Sequence, residues 1–462
     1  MNRAFIVSFI IIFSFSLSAK AEKKDLEEIL GILATEHPES KSLAGLSQAH
    51  KSHSEAAGIL PDPKIGFAYR NYPTRNGYSL NGDRALDTPT MTGVELSISQ
   101  EFPFPGKLGT EKRISKLMQN EASFAYTSGV NKILGEFFSK LNRYQHSEKK
   151  KAINDKILVV LGAQKSISES SYAYGGNTLS GVLKSAVAKT EAAEKETEYS
   201  TQLKDLKSQL EYYQISNKLS FQEIRELELD SFLDKKFEEL ENLVGSEAKL
   251  VEESPEYKIQ TEEEKRLREQ AKLAKYSLAP QTEVFFSYMK RRSQTYALDQ
   301  GPLNYGLMDS TEYRGDLFSL GMNMRVPFWS AFKWNSITGE SEHLAEVGKD
   351  SVEKTRIQML SELNRSLSLA KGTMDQIRLV EKRLIPELER SARAGSYQYA
   401  AGKSTVQDSL LAQTEILNAK IRLEDLKERK NESVLNALKL LSLIYKENEI
   451  PNHDKHNTGD KK

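Results

Sequence analysis

Two histidines, His50 and His53, stand one helical turn apart and could share a metal ion. Structural and catalytic metal sites recruit further His, Cys or carboxylate ligands, and the chain has no cysteine at all. With no third ligand nearby, the pair reads better as a solvated helix face. Met322 and Met324 offer soft sulfur at a two-residue step. That step puts both on one face of a strand, where lipid-facing bulk explains them better than soft-metal binding. No phosphate-cradling glycine loop precedes a helix, and no Ser/His/Asp or paired-carboxylate arrangement can be singled out. Lack of cysteine also removes disulfides, a thiolate nucleophile and a lipidated N-terminal anchor. The side chains therefore indicate no enzyme and no cofactor.

What positions side chains in this chain is more informative. Its 462 residues carry 65 Lys and Arg against 65 Asp and Glu, so the net charge is zero. Nucleic acid and anionic lipid both reward a basic excess, so neither is expected as the main partner. Charged residues make up 28% and hydrophobic ones 38%, a polar balance that suits elongated helices better than one compact core. Residues 1–21 read as a secretory signal: Arg3, a short apolar run over 5–17, then the small-x-small step Ala19-Lys20-Ala21. The alternative is an uncleaved anchor. No later segment approaches the roughly 20 apolar residues of a spanning helix. Residence in a membrane would therefore require a β-barrel.

The chain reads as two similar halves, 22–230 and 255–445, joined by a segment over 231–254 and followed by a polar tail over 446–462. Pairing Tyr172 with Tyr399 and Gly175 with Gly402 aligns Thr178 with Thr405 and Leu183 with Leu410. Phe102-Pro103-Phe104 corresponds to Val326-Pro327-Phe328 at a similar spacing. Each half opens with alternating segments. Ile65, Phe67 and Tyr69 alternate with smaller or polar residues, as do Val94, Leu96 and Ile98. Val284, Phe286 and Tyr288 repeat the pattern, followed by Phe318, Leu320, Met322, Met324 and Val326. Period-two alternation predicts strands over about 64–71, 93–102, 282–290 and 316–327, each wet on one face. Polar loops are expected between them, over 72–90 and 291–315. The remainder reads as helix: one short N-terminal helix and hairpins over about 108–227 and 336–445, with Pro386 the sole interruption in the second. Helices of roughly 60 residues would be about 90 Å long. Their sustained three- and four-residue apolar spacing favours coiled-coil-like packing. Gly with Asn or Ser near 172–177 and 399–404 turns each pair back on itself.

Four strands cannot close a barrel, because closed barrels start at about eight. Open edges in hydrocarbon leave backbone groups unpaired, so several copies must share one barrel. Three copies would supply about twelve strands, and a trimer is the smallest assembly that both closes and leaves a lumen. A secreted coiled-coil adaptor without a pore explains the helices but not the four amphipathic strands.

The order of Pro61-Asp62-Pro63, a strand, Ser99-Gln100-Glu101-Phe102-Pro103-Phe104-Pro105-Gly106-Lys107 and a long helix resembles the TolC-type outer-membrane efflux proteins. The Pro-Phe-Pro-Gly-Lys stretch is most similar to the heavy-metal-efflux branch. Tyr-x-x-Gly at Tyr172/Gly175 and Tyr399/Gly402 is similar to the family's hairpin-tip motif. The resemblance implies an α+β membrane protein: a homotrimer with a twelve-stranded barrel in the outer membrane, a long helical barrel in the periplasm and an equatorial belt. It implies partnership with a periplasmic adaptor and an inner-membrane pump, and conduction of metal ions or small toxic compounds. Asp408 matches the position of a constriction Asp and Tyr399 that of the motif's Tyr, and their expected role is a pore gate. A plain helix-start Asp is the alternative for Asp408. Where some members carry a gating Arg this chain has Ser404, with Lys403 adjacent. Tyr172, Gly175, Thr178, Gly402 and Thr405 are expected to form the tips and meet the adaptor. Pro103, Pro105, Gly106 and Pro327 mark the strand-to-helix passages.

Overall fold

The structure, a computed structural model, describes residues 26–71, 93–175, 178–215, 218–243, 245–291, 294–298, 308–312, 314–401 and 406–445. The expected signal, the 72–90 loop and the C-terminal tail lie outside the described residues. Helices α1 (Leu26–Glu36) and α2 (Pro38–Ala56) lead to strands β1 (Lys64–Arg70) and β2 (Gly93–Phe102). The first hairpin is α3 (Lys107–Ala173) and α4 (Leu179–Glu211). Short helices follow, α5 (Phe221–Arg225), α6 (Leu229–Glu241) and α7 (Glu247–Glu253), then α8 (Pro255–Lys275). Strands β3 (Gln281–Arg291), β4 (Gln294–Leu298), β5 (Met308–Glu312) and β6 (Leu317–Arg325) come next. The second hairpin is α9 (Trp334–Leu379) and α10 (Ile385–Ala400), returning as α11 (Val406–Leu441).

β1, β2, β3 and β6 form one antiparallel sheet in that order. Its register explains the alternation. Phe67, Leu96, Tyr288 and Phe318 lie abreast across the four strands, as do Ile65, Ile98, Phe286 and Leu320. Successive strand residues face opposite ways, so every large apolar residue of the pattern falls on one face. That face is bare in the single chain: Phe67 is 77% exposed and Leu320 79%. The other face carries Gly66, Ser97, Ser287 and Ser319 abreast, with Lys64 near Glu101 and Glu283 at 3.8 and 3.7 Å and Arg70 paired with Glu95. Gly321 is required there, since a Cβ would meet the Phe285 ring of the neighbouring strand at 2.4 Å.

The elements part from expectation in three places. The 291–315 segment, read as loop, contains a second ribbon in which β4 pairs with β5. Residues such as Thr295, Tyr296 and Leu298 favour extended backbone, but the segment is too short for alternation to announce it. The return helix of the first hairpin stops at Glu211, short of 227. Tyr212 and Tyr213 turn the chain into an isolated bridge between Ile215 and Leu219, and Ser220 starts α5 with a reciprocal capping box to Glu223. At Pro386 the helix is not broken. A π-helical turn, Val380–Leu384, precedes it, and Ile385 N–H reaches the Val380 carbonyl. The wider turn absorbs the missing proline donor.

One extended core sits at mid-length of α3. Leu134, Phe137, Phe138 and Leu141 are fully buried against Leu33 of α1, Leu210 of α4, Leu229 and Leu233 of α6, and Leu435 and Leu438 of α11. Removing either Phe side chain costs about 3–5 kcal/mol.

Candidate functional site

At the first hairpin tip the sequence dictates a tight reversal. Tyr172, the penultimate residue of α3, is half exposed, and its carbonyl accepts the Gly175 N–H at 3.0 Å. Gly175 has φ +75°, a left-handed conformation that side-chain-bearing residues resist. Thr178 caps α4: its hydroxyl accepts the Gly181 N–H at 3.2 Å. Tyr174, which the sequence did not single out, is 91% exposed and is the most prominent group there.

The second tip is less fully described. Tyr399 is the penultimate residue of α10, while Gly402 and Thr405 lie outside the described residues. Asp408 sits exposed in the first turn of α11, where the helix dipole favours a carboxylate. Next to it, Gln407 donates to the Ser168 hydroxyl at 2.7 Å, which fastens the second tip to the last turns of α3. A cleft between the hairpins is lined by Gln164, Ser168, Lys184 and Gln407 together with apolar Leu161 and Leu411.

At the opposite end, strands pass into helices. After Pro103 and Pro105, Gly106 takes φ +94° and caps α3, its carbonyl accepting the Thr110 N–H at 3.0 Å. A Cβ at Gly106 would stand 2.7 Å from the Tyr276 hydroxyl. Pro327 occupies the equivalent passage after β6, and its carbonyl accepts the Ala331 N–H at 3.3 Å within the turn that opens α9. Phe328, Trp329 and Phe332 cluster there, all largely exposed.

Between the two ends lies a buried polar cluster that the sequence reading missed. His146 of α3 is 1% exposed, with Nδ1 2.8 Å from Glu424 of α11 and Nε2 3.4 Å from Asp230 of α6. Asn431 donates to Asp230 at 2.7 Å and to Asn142 at 2.9 Å. Lys150 bonds Asp425 and Glu428 at 2.9 and 2.8 Å. Burial opposes the imidazolium, but the two carboxylates outweigh it and hold the His146 pKa above its ordinary value. The same contact, with Lys149, keeps Asp230 well below the carboxylate range. The available signal was the run Asn142, His146, Lys150 at four-residue steps on the apolar side of a helix.

Among the described residues no group of three or more His, Asp or Glu could hold a metal, and His50 and His53 sit on α2 without further ligands. No described helix is long and apolar enough to cross a membrane.

An open amphipathic sheet joined to two helical hairpins also describes several solved outer-membrane proteins. Over most of its length the chain superposes on solved examples. VceC of Vibrio cholerae covers 90% of this chain and 95% of its own at TM-score 0.66, with 13% identity. CmeC of Campylobacter jejuni covers 96% and 93% at TM-score 0.65, with 12% identity. CusC covers 90% and 92% at TM-score 0.66, with 10% identity. No curated protein matches by sequence. Residues 249–441 match the family of outer membrane efflux proteins. The chain thus has the TolC-type fold and carries that family's sequence signature across its second half.

Proposed function

We propose that this chain is the outer-membrane exit duct of a tripartite efflux assembly, a passive conduit and not an enzyme. Three copies close one barrel, β6 of each pairing with β1 of the next, and the helical hairpins continue the lumen into the periplasm. The carrying observation is the sheet's single apolar face combined with its two edges, unpaired among the described residues. Bare side chains such as Phe67 and Leu320 suit hydrocarbon, and an open edge there costs several kcal/mol per unpaired group. A secreted adaptor would have no use for such a face. The hairpin tips would meet a periplasmic adaptor, and metal ions or small toxic compounds would be the cargo. Purified protein in a planar bilayer tests the reading: discrete conductance steps are expected, and their absence from a membrane-inserted trimer would refute it.

The gate is assigned to Asp408, with Tyr399 on the facing helix of the same hairpin. Three Asp408 carboxylates about one axis would form a ring that attracts cations or closes around one. Asp408→Ala is expected to raise single-channel conductance or abolish block by divalent cations. Unchanged conductance together with unchanged block would leave Asp408 as an ordinary helix-start residue.

A further inference from the structure

Helix α6 packs on both α3 and α11, and so on both hairpins. Its apolar side, Leu229, Leu233, Phe237 and Leu240, is buried in the common core. Its polar ties gather at its first turn. No side-chain bond caps the start of the helix at Glu228. Instead Asp230 meets His146 and Lys149 from α3 and Asn431 from α11. Just ahead of that turn, Gln145 of α3 donates to the Arg225 and Leu227 carbonyls at 3.1 and 2.8 Å.

We propose that His146 is a proton-operated clasp on α6: the charged ring ties the first turn of that helix to α3 and α11, and loss of the proton lets the turn go while α3 and α11 stay joined.

The chemistry of the ring dictates which bond is lost. An imidazolium donates from both nitrogens, whereas a neutral imidazole donates from one and accepts at the other. Glu424 lies 2.8 Å from Nδ1 and Asp230 lies 3.4 Å from Nε2. The shorter bond, to α11, keeps the remaining proton, and Nε2 then turns a lone pair on the Asp230 carboxylate. Asn431 completes the exchange. Its amide nitrogen is 2.7 Å from Asp230, 2.9 Å from Asn142 Oδ1 and 3.4 Å from His146 Nε2. Its own Oδ1 is buried and accepts no bond among the described residues. The N–H given to Asp230 can therefore turn to the bare Nε2 without breaking any accepted bond. Of its three partners Asp230 then keeps Lys149.

The contact between α3 and α11 does not depend on this proton. Lys150 bonds Asp425 and Glu428, Ser139 bonds Glu432, and Asn142 donates to the Glu428 carbonyl. Around the ring stand Lys149 and Lys150 on α3, Asp230 and Asp234 on α6, and Glu424, Asp425, Lys427, Glu428 and Lys430 on α11. Where α5 meets α3, Arg225 pairs with Glu148. His146 is the one imidazole of that set. Burial opposes its charge, but hydrogen bonds from Asp230 and Glu424 outweigh burial, so the folded pKa lies above the ordinary 6.5. The clasp is thus closed below that value and opens as pH rises through the folded value.

Hydrogen exchange of the full-length protein in detergent, read by mass spectrometry with labelling times scaled for base catalysis, tests this. Between about pH 6 and about pH 9 the amides of α6 should lose protection on the order of tenfold, one pKa unit being a factor of ten. Amides over 137–150 of α3 and 424–435 of α11 should keep theirs. Exchange at the imidazole C2 carbon in the same digests reports the charge of His146 directly, and its midpoint should coincide with the α6 transition. Asp230→Asn should flatten the α6 profile and lower the His146 midpoint. Constant α6 protection in the wild type, equal losses in all three helices, or an α6 transition away from the His146 midpoint would each overturn the clasp. An Asp230→Asn profile as steep as the wild type would do the same.

Discussion

Replacing His146 with leucine tests the buried cluster most sharply. The ring is held between Glu424 at 2.8 Å and Asp230 at 3.4 Å, so it joins three elements, α3, α6 and α11. Leucine fills the volume but leaves two carboxylates facing an apolar group. Removing one partner of a fully buried pair costs about 3–5 kcal/mol. Here Lys149 stays 3.0 Å from Asp230 and 3.9 Å from Glu424, and the Asp230 side chain is 43% exposed. Those two facts reduce the expected loss to about 2 kcal/mol per subunit. The pH dependence is the discriminating part. The folded His146 pKa lies above the ordinary 6.5, so its stabilisation is complete below that value and fades as pH rises through the folded value. Asp230 acts in the opposite sense, contributing above its ordinary 3.8 and losing that contribution only in stronger acid. Lys149 and Lys150 on α3, Asp234 on α6, and Asp425, Glu428 and Lys430 on α11 complete the charged surroundings. Thermal unfolding of the helical signal in detergent, followed at about pH 6 and about pH 9, is the assay. Wild type should be more stable at the lower pH and the leucine variant nearly indifferent. A variant with the wild-type pH slope would mean that folding leaves the pKa of the ring unshifted, and the reasoning would fail.

The other expectations are structural. Gly106→Ala should cost about 1–3 kcal/mol through its left-handed backbone, with a further steric share against Tyr276. Tyr276→Phe should recover the steric share alone, read as the yield of folded protein in the membrane fraction. Gly321→Leu should block sheet formation by striking the Phe285 ring, and Phe285→Ala should restore it, as followed by heat-modifiable gel mobility. Thr178→Ala should cost about 1 kcal/mol of helix capping and speed amide exchange in the first turn of α4 without altering the core.

The sheet was legible because alternation is a local signal, and residues such as Phe67 and Leu320 fall on one face in any register that keeps the pleat. Pairing order was not local: nothing within β2 says that it lies between β1 and β3. The long helices were equally plain from spacing and scarcity of proline. The fate of Pro386 was not, because a kink and a π-turn satisfy the same missing donor. The segment after Glu211 read as helix because its apolar residues keep helical spacing; the tyrosine turn and the Ser220 cap that end it are single-residue events. Of the candidate site, Gly175 and Thr178 could be assigned local roles from residue type alone. His146 could not, since its partners lie more than eighty residues away in sequence or further.

A single helix carries α3 from the strand junction to the far tip, 67 residues without a proline. At ~1.5 Å per residue that is a lever about 100 Å long. Swinging it by about 5° about its Gly106 end displaces the other end on the order of 9 Å, somewhat less than the width of a helix with its side chains. Angular play too small to disturb the strand pairing at one end is thus enough to carry the hairpin tip at the other through most of a helix's width.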